Sequence, residues 1–138
     1  MDRGFAYFEH TADVGIRAWG PTLESAFEEA AVGLVAHMVS LDEAKRVGEV
    51  RVEVEADSME RLLFRFLEEV LDLVQTRLMV VSSARVALDG NRLVATLEGE
   101  SYDAARHGHV HEIKAITFHD LSVARSASGA EVRVIVDI

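Results

Sequence analysis

Two polar clusters, far apart in the chain, hold most of the side chains that could do chemistry. Phe8-Glu9-His10-Thr11-Ala12-Asp13-Val14-Gly15 lies near the start and His111-Glu112-Ile113-Lys114-Ala115-Ile116-Thr117-Phe118-His119 near the end. Brought together by a compact fold, they would give one site imidazoles, an ammonium, a hydroxyl and carboxylates. Asp13 stands at the start of a strand-like run, where a carboxylate can ligate a hard cation or act as a base. An Asp in a turn also bonds nearby backbone N–H groups, and from position alone that is the commoner role.

The end of the sequence offers two more carboxylates. Val132, Val134, Val136 and Ile138 alternate on one face, so the strand pattern runs to the last residue, where Asp137 and a terminal carboxylate on Ile138 fall side by side. With Asp13 they would suit Ca²⁺ or Mg²⁺, which take oxygen ligands; the plainer alternative is a strand that stops with Asp137 in water. In the second cluster, residues two apart share a strand face. Thr117 and His119 are therefore expected together and Lys114 on the opposite side, unless the chain bends near Ala115. The run His107-Gly108-His109-Val110-His111 could bind zinc, but it lacks the i, i+4 helical spacing of hydrolytic zinc sites and reads as a solvated loop. Glu28-Glu29 and Glu68-Glu69 read as solvated helix faces.

The elements that must position these groups follow from periodicity. Phe5–Phe8 and Asp13–Trp19 read as strands around a turn, ended by Gly20-Pro21. Thr22 caps a helix whose apolar stripe is Leu23, Ala26, Phe27, Ala30, Ala31, Leu34, Val35 and Met38. Val50–Ala56 alternates as a half-exposed strand. Asp57 or Ser58 caps a second helix, with Glu60 set for a capping-box contact and a stripe of Leu62, Leu63, Phe66, Leu67, Val70, Leu71 and Val74. Arg85–Leu88 and Arg92–Glu98 flank the hairpin signal Asp89-Gly90-Asn91. Ser101–His109 is a polar loop, and Ile113–Ala124 and Glu131–Ile138 are the last strands. The order is β-β-α-β-α-β-β-β-β. It predicts one α+β domain over residues 1–138, a two-layer sandwich with two amphipathic helices on one face of a mixed sheet.

Composition narrows the function classes. The chain has 138 residues and is 49% hydrophobic, enough for one core. It has no cysteine, which excludes disulfides and thiolate chemistry. No apolar run is long enough for a membrane span, and the start does not resemble a secretory signal, so a cytoplasmic location is expected. The net charge of −10 argues against direct binding to nucleic acid and suits a basic protein partner or a cation. Only Lys45 and Lys114 among the 14 basic residues are lysine, which singles out the compact ammonium in the second cluster. Gly-rich phosphate loops and nucleophile elbows are absent.

At this point the two clusters resemble a known family. Phe8–Ile16 is similar to the opening signature of the archease family, and Glu112–His119 to its Lys-Ala-Val-Thr-Tyr-His signature. Trp19-Gly20-Pro21-Thr22-Leu23 and the Tyr102-Asp103 to Arg106-His107 segment fit the same pattern, and the likeness covers essentially the whole chain. Phe118 stands where the family usually has Tyr, and Ile116 replaces Val. The resemblance implies a protein cofactor, not an enzyme. Its partner would be the tRNA-splicing RNA ligase that joins ends carrying a 3′-phosphate or 2′,3′-cyclic phosphate. Its action would be to promote guanylylation of the ligase's active-site histidine and multiple turnover. It further implies a divalent-metal site of Asp13, Asp137 and the Ile138 carboxylate, for calcium or else magnesium or manganese. The signature Lys and His fall on Lys114 and His119, with His10 and Thr117 beside them as further functional candidates. Two other classes stand as alternatives: a stand-alone metal-dependent phosphoester hydrolase, and a general chaperone-like binding module.

Overall fold

The computed structural model describes residues 2–138. β1 (Gly4–His10) and β2 (Asp13–Gly20) form a hairpin whose turn is closed by Ala12 in a left-handed conformation, φ 62°. Helix α1 (Leu23–Met38) starts where the Thr22 hydroxyl accepts a hydrogen bond from the Ser25 N–H and the Ser25 hydroxyl in turn accepts the Thr22 N–H. This reciprocal cap satisfies two N–H groups that a helix start otherwise leaves open. Strand β3 (Gly48–Glu55) leads to helix α2 (Met59–Gln75), capped by Ser58 rather than Asp57. Strands β4 (Met79–Asp89) and β5 (Arg92–Ser101) form the expected hairpin, with Gly90 at φ 59° in its turn. A helical turn, α3 (Ala104–His107), precedes β6 (Ala115–Ser126) and β7 (Gly129–Asp137).

The α+β class and the order of the seven strands and two long helices are as the sequence predicts. The strands differ in arrangement: they form not one mixed sheet but two antiparallel ones, ordered β1-β2-β7-β6 and β3-β5-β4. Helical crossovers would allow parallel pairing, but the crossover through α1 leads from one sheet to the other, and the two strands joined through α2 are kept apart by a hairpin strand. β5 lies between β3 and β4, and β7 between β2 and β6, so every pairing is antiparallel. The two long helices pack on each other, and each touches strands of both sheets. Phe27, Leu34 and Met38 of α1 and Leu62, Phe66 and Leu67 of α2 are fully buried in the shared core. None of the described helices is long and apolar enough to cross a membrane.

Polar residues also serve this architecture. Glu28 is not a solvated helix face: its carboxylate accepts the backbone N–H of Val86 at 2.8 Å and pairs with Arg3 at 2.8 Å. It thereby satisfies a donor on edge strand β4 that no strand neighbour reaches. Gln75, in the last turn of α2, clasps Ile113 from both sides, accepting its N–H at 2.7 Å and donating to its carbonyl at 2.9 Å. Ile113 is therefore fully buried and tethered to the helix, and β6 begins two residues later than the alternation suggested.

Candidate metal and histidine site

The register of the four-stranded sheet lines up the site. His10 of β1 pairs with Asp13 of β2, Asp13 with Asp137 of β7, and Asp137 with Ala115 of β6. Residues directly opposite on antiparallel strands share a face. The next row on that face is Phe8, Gly15, Ile135 and Thr117. The intervening positions Val14, Val136 and Ile116 face the helices and join the core. The polar row thus lies on the outer face, at the end of the sheet where the β1–β2 turn and the close of β7 meet. Its floor depends on Gly15: a Cβ there would fall 2.2 Å from the Phe8 ring, so only glycine lets that ring lie across the sheet. The Arg133 guanidinium stacks on the ring from 4.5 Å.

A bulge in β6 brings the second cluster over this row. Thr117 pairs with Ile135 and Ser122 with Arg133, so β6 advances five residues while β7 advances two. The extra residues carry His119 and Asp120, the latter in the left-handed region at φ 53°. The His119 ring meets the edge of His10 at 5.4 Å between centroids. Asp120 Oδ2 is 3.3 Å from His119 Nε2 and 3.9 Å from His10 Nε2. On its other side, His10 Nδ1 faces Asp13 Oδ2 at 3.7 Å and is buried without a hydrogen-bond partner. Asp120 is the residue that sequence reasoning missed; strand alternation carries no signal for a bulge.

The other candidates divide. Thr117 shares the outer face, as predicted, but donates its hydroxyl to the Ile135 carbonyl at 2.8 Å rather than to His119. Lys114 is not with His119. It lines a groove with Glu68, Asp72 and Gln75 of α2, and its backbone N–H donates to the Asp137 carbonyl at 2.7 Å. Ile138 follows Asp137 and lines a pocket with His37, His109 and His111. Burial and the neighbouring His111 lower the His37 pKa.

Within the polar segment from Ser101 to His109 the structure adds the turn α3 and one buried side chain, while Gly108, His109 and His111 are exposed, as expected of a solvated loop. His107 is fully buried. Its Nδ1 accepts the Asp103 N–H at 2.9 Å, which leaves the proton on Nε2 to be donated to Glu100 at 2.9 Å. Glu100 also accepts from Arg106 at 2.6 Å and from the Lys45 backbone at 2.8 Å. The Arg106 guanidinium, helped by the other two donors, holds its carboxyl down at about 2.

Comparison with known proteins identifies the family. Residues 5–138 match the model of the Archease protein family (MTH1598/TM1083). Protein archease of Pyrococcus furiosus is 37% identical over 131 residues, covering 92% of each chain. That of Thermococcus gammatolerans is 40% identical over 131 residues, with the same coverage. The solution structure of Methanobacterium thermoautotrophicum protein 1598 superposes with a TM-score of 0.80 at 28% identity, over 98% of this chain and 99% of that one. A Thermotoga maritima archease, described as a possible chaperone, shares the fold at a TM-score of 0.64 and 22% identity, over 95% and 94% of the two chains. With its signatures, its fold and its relatives in accord over nearly the full length, this chain belongs to the archease family.

Proposed function

We propose that this protein is an accessory factor of a tRNA-splicing RNA ligase. It promotes guanylylation of the ligase's active-site histidine and so lets the ligase turn over repeatedly. The observation that carries this reading is the register pairing of Asp13 with Asp137. Two carboxylates directly opposite on adjacent strands repel each other, and among the described residues neither side chain accepts a hydrogen bond or pairs with Lys or Arg. Such a pair fits a hard divalent cation. Asp13, Asp137 and the main-chain oxygens of Ile138 would hold it, calcium first, with magnesium or manganese as alternatives. When bound, the ion supplies positive charge against phosphate oxygens as charge shifts on them.

The chain's own residues would do the rest. His10 and His119 can donate hydrogen bonds from the edge of the same row, with the Asp120 carboxylate near both. Lys114, on the helix side, is better suited to contacting the ligase than to joining the row. The net charge of −10 favours docking to a basic, RNA-handling protein over contact with RNA itself. The test is ligase guanylylation with GTP, with and without this protein, at limiting ligase from the same source. Stimulation that is lost in Asp13→Asn supports the reading. An unchanged rate with the wild-type protein overturns it.

A further inference from the structure

The bulge of β6 assembles a ligand set of different chemistry beside the carboxylate pair. His10, His119 and Asp120 each offer one ligand atom, and all three atoms lie within 4.8 Å of one another, the one such group of His, Asp or Glu among the described residues. Two imidazoles and one carboxylate suit a borderline ion such as Zn²⁺, whereas hard ions prefer oxygen alone. One of the two spacings to Asp120 matches a shared ion and the other lies about 0.3 Å beyond it. Bonds of about 2.0–2.2 Å at a tetrahedral angle put ligand atoms roughly 3.3–3.6 Å apart, and the two Asp120 distances are 3.3 and 3.9 Å. A second observation points the same way. His10 Nδ1 is buried and unpartnered, facing the Asp13 carboxylate at 3.7 Å. A histidine that binds metal through one nitrogen commonly offers the other N–H to a carboxylate, and Asp13 stands where that carboxylate belongs. The remaining histidines do not compete on geometry: the His109 and His111 rings stand 5.7 Å apart and gather no third ligand.

We propose that His10, His119 and Asp120 form a transition-metal site, distinct from the Asp13–Asp137 pair, that binds Zn²⁺ through three side chains and leaves a coordination position open to water or a partner's ligand. The site goes beyond the ligase reading, and each is tested by its own measurement.

The test is a calorimetric titration of the full chain with ZnCl₂ in excess Ca²⁺, repeated on four variants. One Zn²⁺ per chain is expected. Affinity should fall roughly tenfold or more in His119→Ala and in Asp120→Ala, and should change little in Asp137→Asn and in the double variant His109→Ala, His111→Ala. With Co²⁺ in place of Zn²⁺, visible bands of a four-coordinate ion should appear and be lost in His119→Ala. His119 and Asp120 are both exposed, each side chain at 66%, so these variants should fold, as a thermal melt will verify. The proposal is overturned by Zn²⁺ affinity that survives both His119→Ala and Asp120→Ala. It is equally overturned by no binding to the wild type, by loss in the His109/His111 variant, or by equal loss in Asp137→Asn.

Discussion

Two clusters of histidine and carboxylate in this molecule use the same side chains to opposite ends. Around His107, every strong polar group has a partner: Glu100 takes hydrogen bonds from Arg106, His107 and the Lys45 backbone, and His107 uses both nitrogens. Around His10, contacts stop at 3.3–3.9 Å, a ring nitrogen is buried without a partner, and Asp13 faces Asp137 across the ladder. The first cluster is closed and holds the chain in place. The second is open, and its unmet demand is for positive charge. A buried polar atom is ordinarily satisfied, so the unpartnered His10 Nδ1 marks the open cluster as a candidate binding place.

The largest effect should come from neutralising the open cluster. Asp13→Asn or Asp137→Asn is expected to cost at least about tenfold in ligase stimulation while leaving the melting temperature unchanged or raised, because a repulsion is removed. Activity and denaturant melts on the same samples check this. The closed cluster should behave in reverse: His107→Ala is expected to destabilise by about 2–4 kcal/mol, through a cavity and the loss of the acceptor for the Asp103 N–H, with Ca²⁺ affinity unchanged by calorimetry.

A smaller effect is expected between the two, at the floor of the open cluster. Gly15→Ala forces the Phe8 ring aside and should cost about 1–3 kcal/mol in a denaturant melt. The smallest is a pH dependence. Glu100 has its carboxyl lowered from 4.5 to about 2 in the fold. Its ionised form is favoured natively, so its stabilisation is complete above the unfolded value and is lost as pH falls through the folded one. The stability gap between wild type and Glu100→Gln should therefore be constant above about pH 5 and close between pH 4.5 and 2.

Much of this was legible because periodicity reports faces. The Val50–Ala56 alternation and the stripe from Leu62 to Val74 gave strand β3 and helix α2, and parity put Thr117 with His119 and Lys114 on the other side. Asp13 and Asp137 could be suspected as partners because both carboxylates fall at strand ends, and the family resemblance implies the same pair; their register requires knowing that β7 inserts beside β2. Three features had no one-dimensional signal. The bulge that delivers Asp120 adds residues without disturbing local composition. Burial of His107 depends on Glu100 and Lys45, which come from other segments of the chain. The Glu28 carboxylate looked solvated because its acceptor role is set by an edge strand 58 residues away.

The most direct test of the open cluster is thermal melting of the wild type and Asp137→Asn with and without Ca²⁺. At Ca²⁺ about 100 times its Kd, binding to the folded state alone is worth about 2.7 kcal/mol, a rise of several degrees for a chain of this size. The account predicts that rise in the wild type and its loss in Asp137→Asn. An equal rise in both proteins, or none in either, would contradict it.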